Sequence, residues 1–140
     1  MRGCIFFSDT GLDPYDISKH TRTAVTYLDF GCNISEIQYC LQFNFQSIAS
    51  FKDLCSECYA IFSFGNLEGC SRGDWQIISS RMANTVNILE GLGYNIIIIA
   101  EEALPIHTNL EYKVITPNED LNKIVAREID IYFASFNYGE

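Results

Sequence analysis

Four consecutive isoleucines, Ile96–Ile99, lie within the stretch Tyr94–Ala100. Strand side chains point alternately to opposite faces, so a run apolar at every position needs cover on both sides. The segment therefore reads as a central strand of a sheet with other structure packed on each face. At 140 residues the chain has enough length for one globular domain over 1–140 with its own core, and too little for two. Ten Phe, eight Tyr and one Trp supply large apolar areas for that core.

Gly3–Ser8 is a compact apolar run ending in Ser-Asp-Thr-Gly, a strand and then a turn. Asp13-Pro14 offers an N-cap and a proline at the first helical position, opening a short helix to about Thr21. Thr21, Thr23 and Thr26 are stiff at χ1, so Thr23–Phe30 is expected as a second strand. Ile37, Tyr39, Leu41, Phe43 and Phe45 alternate with Gln38, Cys40, Gln42, Asn44 and Gln46, the period of a half-buried, antiparallel-type strand. Phe51, Leu54, Cys55, Cys58, Tyr59 and Phe62 recur at helical spacing, with Ser50 as a cap. Gly65–Gly73 is a glycine-rich loop, Asp74–Ser79 a short strand, and Arg81–Leu92 a helix stopped by Gly91 and Gly93. Beyond the isoleucines come a loop around Pro105, a strand over Leu110–Ile115 and a helix opened by Thr116-Pro117. Ile129–Phe136 then alternates as a closing strand. These elements predict an α+β domain with a mixed or mostly antiparallel sheet packed with about four helices.

The formal net charge is −9, while 48% of the residues are apolar. A disordered acidic segment would lack that apolar share, so the charge belongs to the skin of a folded domain. It concentrates late: Glu90–Glu140 holds nine acidic residues against Lys113, Lys123 and Arg127. Such a field attracts cations and repels nucleic acid, and the scattered basic residues leave no footprint for a phosphate backbone. No apolar stretch reaches the roughly 18 residues of a membrane span. Met1–Asp9 has one Arg and a short apolar run before an acidic residue, unlike an export signal; a cytoplasmic location and reduced thiols are expected.

Few constellations suggest a reaction. Cys4 and Cys40 sit in apolar runs and read as small buried hydrophobes. Cys55-Ser-Glu-Cys58 has C-x-x-C spacing without a second pair, and a zinc site completed by Cys70 competes with a simpler reading on the apolar face of a helix. Gly65–Gly73 lacks the Lys and Ser/Thr of a phosphate-binding loop and carries Glu68. Glu101 and Glu102 follow the isoleucine strand with His107 nearby, where ligands of open sheets often sit. They define the alternative of a small-molecule-binding or enzymatic α/β domain. No serine or cysteine has a nucleophile signature, so no catalytic residue, cofactor or metal is expected. Protein recognition remains. Asp74, Glu101, Glu102, Glu111, Glu119 and Asp120 would present carboxylates, with Tyr112 as an amphipathic contact, to a partner rich in Lys and Arg.

Three stretches resemble the small acidic immunity proteins of bacterial contact-dependent inhibition and other polymorphic toxin systems. They are Leu12-Asp13-Pro14-Tyr15-Asp16-Ile17, Gly73-Asp74-Trp75-Gln76-Ile77-Ile78-Ser79, and Thr116-Pro117 with Leu121 followed by Ile129-Asp130-Ile131-Tyr132. The resemblance covers about a quarter of the chain and consists of fold signals. It implies an inhibitor that occludes the active site of a cognate basic toxin domain, such as a nuclease, and carries no binding residue over.

Overall fold

The computed structural model describes residues 2–8, 12–64, 72–100, 112–114 and 120–137. Along the chain run β1 (Arg2–Ser8), α1 (Pro14–His20), β2 (Thr26–Gly31), α2 (Ile37–Phe43), α3 (Phe45–Leu54) and β3 (Glu57–Phe64). There follow α4 (Arg72–Leu92), β4 (Asn95–Ala100), β5 (Tyr112–Val114) and α5 (Leu121–Asn137). The strands form a five-stranded sheet in the order β2-β1-β3-β4-β5. Every pairing is parallel: Cys4 opposes Tyr27 on one side and Tyr59 on the other, Ile61 opposes Ile97, and Ile98 opposes Tyr112. The expectation of a mixed or mostly antiparallel sheet is thus overturned.

Two segments produced that expectation, and both are helical. In α2, Ile37 and Leu41 are buried one turn apart, while Tyr39 and Phe43 stand 71% and 79% exposed one turn apart. Two (i, i+4) rows offset by two residues imitate the alternation of a strand. In α5 the apparent alternation of Ile129, Ile131 and Phe133 hides a helical stripe: Val125, Ile129 and Phe133 are fully buried, and Ile131 is exposed. Asp74–Ser79, expected as a strand, belongs to the continuous helix α4, whose buried row is Ile78, Met82, Val86 and Leu89.

The helix expected from Phe51 to Phe62 breaks at Cys55, which takes an extended conformation (φ −114°, ψ 119°) and caps α3; Ser50 lies inside α3. Cys58–Ser63 are all buried because β3 is central and covered on both faces, which erases any diagnostic period. β4 answers its isoleucines, between β3 and β5, with Ile98 in one apolar cluster and Ile99 in the other.

Crossovers between parallel strands are right-handed. A chain that steps one way from β1 to β2 and the other way from β3 to β4 must leave its helices on opposite faces. One cluster accordingly joins Ile5, Phe7, Ala60, Phe62 and Ile98 to α2, α3 and α4. The other joins Cys4, Phe6, Ile61 and Ile99 to α1 and α5. Local chemistry fits this frame. Asp13 caps α1 by accepting from the Tyr15 N–H at 3.0 Å, with Pro14 in the first turn. Gly93 ends α4 at φ 101°, donating to Glu90 O while Tyr94 N–H reaches Leu89 O, a left-handed cap that glycine adopts without strain. No helix among the described residues is long and apolar enough to cross a membrane.

Candidate functional site

Because all five strands are parallel, their carboxyl ends share one edge: Ser8, Gly31, Phe64, Ala100 and Val114. Strand order reverses between β1 and β3, since from β1 the chain moves outward to β2 and from β3 it moves to β4. In open α/β sheets such a reversal parts the loops and leaves a ligand crevice beyond the carboxyl ends. Ser8 pairs in register with Gly31 on one side and Ser63 on the other. Both serines are buried, at 5% and 2% exposure, and both are engaged by neighbouring groups. They put hydroxyls into the central strands at the carboxyl edge, where the strand order reverses.

The helices that follow β1 and β5 begin at the same edge, and their first turns are tied together. Asn122 Oδ1 accepts from the Asp13 N–H at 3.2 Å, and Asn122 Nδ2 donates to Asp16 Oδ2 at 3.0 Å. Asp120 caps α5 by accepting from the Asn122 N–H at 3.1 Å. Three carboxylates, Asp13, Asp16 and Asp120, thus stand at the starts of the two helices that leave this edge. Asp120 was expected as a partner contact; it is exposed, with a capping role as well. Asp13, Asp16 and Asn122 escaped the sequence reading as a group, because a helix cap and two helix-surface residues 106 positions apart carry no joint signal.

Glu101 and Glu102 follow Ala100 directly, so the connection they begin leaves from this edge, but their placement lies outside the described residues, as do those of His107, Glu111 and Glu119. Asp74 falls in the first turn of α4 and Tyr112 begins β5; their side chains are not described. By sequence, Asp9, Glu68, Glu101 and Glu102 all sit in segments starting at carboxyl ends of strands.

A cleft of about 570 Å³ opens at the opposite, amino edge, lined by Tyr59, Glu90, Gly93, Tyr94, Asn95, Ile96 and Tyr132. Several of its polar side chains are already engaged. Asn95 Nδ2 donates to Tyr132 Oη at 2.6 Å, the Tyr132 and Tyr59 rings stack at 4.1 Å, and Tyr94 Oη donates to Ile48 O at 2.7 Å. It is larger than a second hollow of about 360 Å³ beside Tyr39 and Arg81. Size does not decide between clefts here, because the strand reversal lies at the other edge.

The cysteines separate into two groups. Cys4, Cys55 and Cys58 are buried at the amino end of the sheet, with Cys58 Sγ donating to Cys55 O at 3.4 Å. Burial, then the neighbouring Cys55, pushes the Cys58 thiol up to about 11, and burial also pushes Cys4 up, so both stay protonated. Cys55 and Cys58 lie on a helix cap and a strand, rather than on one helical face as expected. No group of three or more His, Cys, Asp or Glu among the described residues could hold a metal ion, and Cys70 lies outside them. Cys32 and Cys40 are half-buried on the rim of the sheet, which corrects the expectation that Cys40 is a core residue.

Comparison with family models, curated proteins and solved structures finds no match to this chain.

Proposed function

We propose that this doubly wound domain binds a small polar ligand in the crevice between the carboxyl ends of β1 and β3. The observation that carries it is the reversal of strand order at Ser8 and Ser63 in an all-parallel sheet. The ligand class follows from charge. Asp13, Asp16 and Asp120 stand at the starts of α1 and α5 on this edge, and by sequence Glu101 and Glu102 begin the connection beyond β4. Carboxylates accept hydrogen bonds and oppose phosphate, so the ligand carries ammonium or hydroxyl donors. The test is calorimetric titration of the full chain with a panel of polyamines, amino sugars and pentoses. Binding is expected to weaken tenfold or more, on the order of 1.4 kcal/mol, when Glu101→Gln and Glu102→Gln are combined. Unchanged affinity in that variant would remove the site from this edge.

A second reading keeps the inhibitor of a basic toxin domain. It is favoured by Tyr39 and Phe43, which stack at 6.4 Å between ring centroids on the exposed face of α2, on a chain of charge −9. Salt-sensitive capture of a basic protein, abolished by Tyr39→Ala with Phe43→Ala and indifferent to the Glu101/Glu102 variant, would establish it over the first.

A further inference from the structure

We propose that the cleft at the amino edge binds a free α-amino acid, with its ammonium on Glu90 and its carboxylate on Lys52. This site stands independently of the crevice at the carboxyl edge. Both charged side chains belong to one turn, which carries Gly93 into the wall of the cleft. Glu90 lies in the last turn of α4, and its carbonyl accepts from the Gly93 N–H at 2.9 Å. Lys52 lies in the last turn of α3 and lays its side chain over the same glycine. A Cβ at Gly93 would meet Lys52 Cε at 2.7 Å and Nζ at 3.6 Å. Among the described residues neither Glu90 nor Lys52 makes a side-chain ion pair or hydrogen bond, whereas Arg2 and Glu57 at the same edge pair at 3.0 Å.

Two opposite charges brought to one turn without pairing suit a ligand that carries both. The end of α4 strengthens the call for an ammonium, since helix dipoles put negative potential at the C-terminus and α4 has no basic residue in its last turn. Lys52 is half-buried, its stem packed across Gly93 and its head left for a carboxylate. A polyamine would meet Lys52 as a like charge, and a simple carboxylic acid would meet Glu90. Only a zwitterion satisfies both. The rest of the wall is already built. Tyr132 stacks on Tyr59 at 4.1 Å, and Asn95 Nδ2 fixes the Tyr132 hydroxyl by donating to it at 2.6 Å. Asn95 Oδ1 accepts from no described residue and is left for a second ammonium hydrogen. Tyr132 and Ile96 line the same cleft of about 570 Å³, which gives an aromatic or aliphatic side chain a surface to pack on.

The experiment titrates the full chain by calorimetry with L-phenylalanine, N-acetyl-L-phenylalanine and L-phenylalaninamide. L-Phenylalanine should bind about tenfold or more tightly than either analogue, because one lacks the ammonium and the other the carboxylate. Glu90→Gln should weaken L-phenylalanine and phenylalaninamide and leave the N-acetyl compound unchanged. Lys52→Met should weaken L-phenylalanine and the N-acetyl compound and spare phenylalaninamide. Backbone N–H chemical shifts of the labelled wild-type chain should move at Glu90, Gly93 and Asn95. No binding of L-phenylalanine, equal affinity for the three compounds, or shifts elsewhere would overturn the proposal. The wild-type comparison of the three compounds decides alone if a variant fails to fold.

Discussion

Asp130 joins α5 to the segment leading out of α1. Its carboxylate accepts from Thr21 Oγ1 at 2.5 Å, Thr23 Oγ1 at 2.9 Å and the Arg22 N–H at 3.0 Å. Burial alone would raise its pKa, but these donors outweigh it and hold the group below 3.8. A lowered folded-state pKa means that the stabilisation is complete above the unfolded value and is lost as pH falls through the folded one. Asp130→Ala should therefore cost about 2 kcal/mol in urea unfolding near neutral pH, with the gap from wild type closing only below about 3.8. A constant gap down to the acid limit would show that the donors do not favour the charged form. Tyr27 presents the reverse case. Its hydroxyl is buried without a hydrogen-bond partner among the described residues, and burial pushes its pKa up to about 12. Removing an orphaned polar atom relieves a desolvation cost, so Tyr27→Phe should hold or raise Tm, by up to about 1 kcal/mol in stability. A lowered Tm would reveal a partner for that hydroxyl.

At the scale of elements, α2 is where sequence and structure part most clearly. The strand reading puts Ile37, Tyr39, Leu41, Phe43 and Phe45 on one buried face; the helix buries Ile37 and Leu41 and exposes Tyr39 and Phe43. Leu41→Ala should accordingly cost about 2–5 kcal/mol and Phe43→Ala less than about 1 kcal/mol by chemical denaturation. Comparable losses at both positions would restore the strand. β1, α1 with its Asp13-Pro14 start, and β4 were legible because short-range chemistry dictates them: an apolar run, a cap, an uninterrupted isoleucine stretch. β3 and α5 were not, because a strand buried on both faces has no period and because Ile131 adds an apolar residue to the solvent face of a helix. That a central strand ends just before Glu101 and Glu102 was legible, while the two residues themselves lie outside the described ones. The Asp13–Asp16–Asn122–Asp120 grouping required α1 and α5 to meet, which no local pattern encodes.

Over the whole molecule, parallel strand order and acidity act together. The order β2-β1-β3-β4-β5 collects the strand ends and the starts of the following helices at one edge, and with them the carboxylates of Asp13, Asp16 and Asp120. An antiparallel sheet would have scattered both between two edges. Amide chemical-shift mapping of the labelled full chain, titrated with polyamines, amino sugars and pentoses, addresses this account most directly. It predicts shifts concentrated at Ser8, Cys32, Ser63 and Asn122, around the carboxyl ends of β1, β2 and β3. Shifts confined to Glu90, Asn95 and Tyr132 at the opposite edge, or none with any member of the panel, would contradict it.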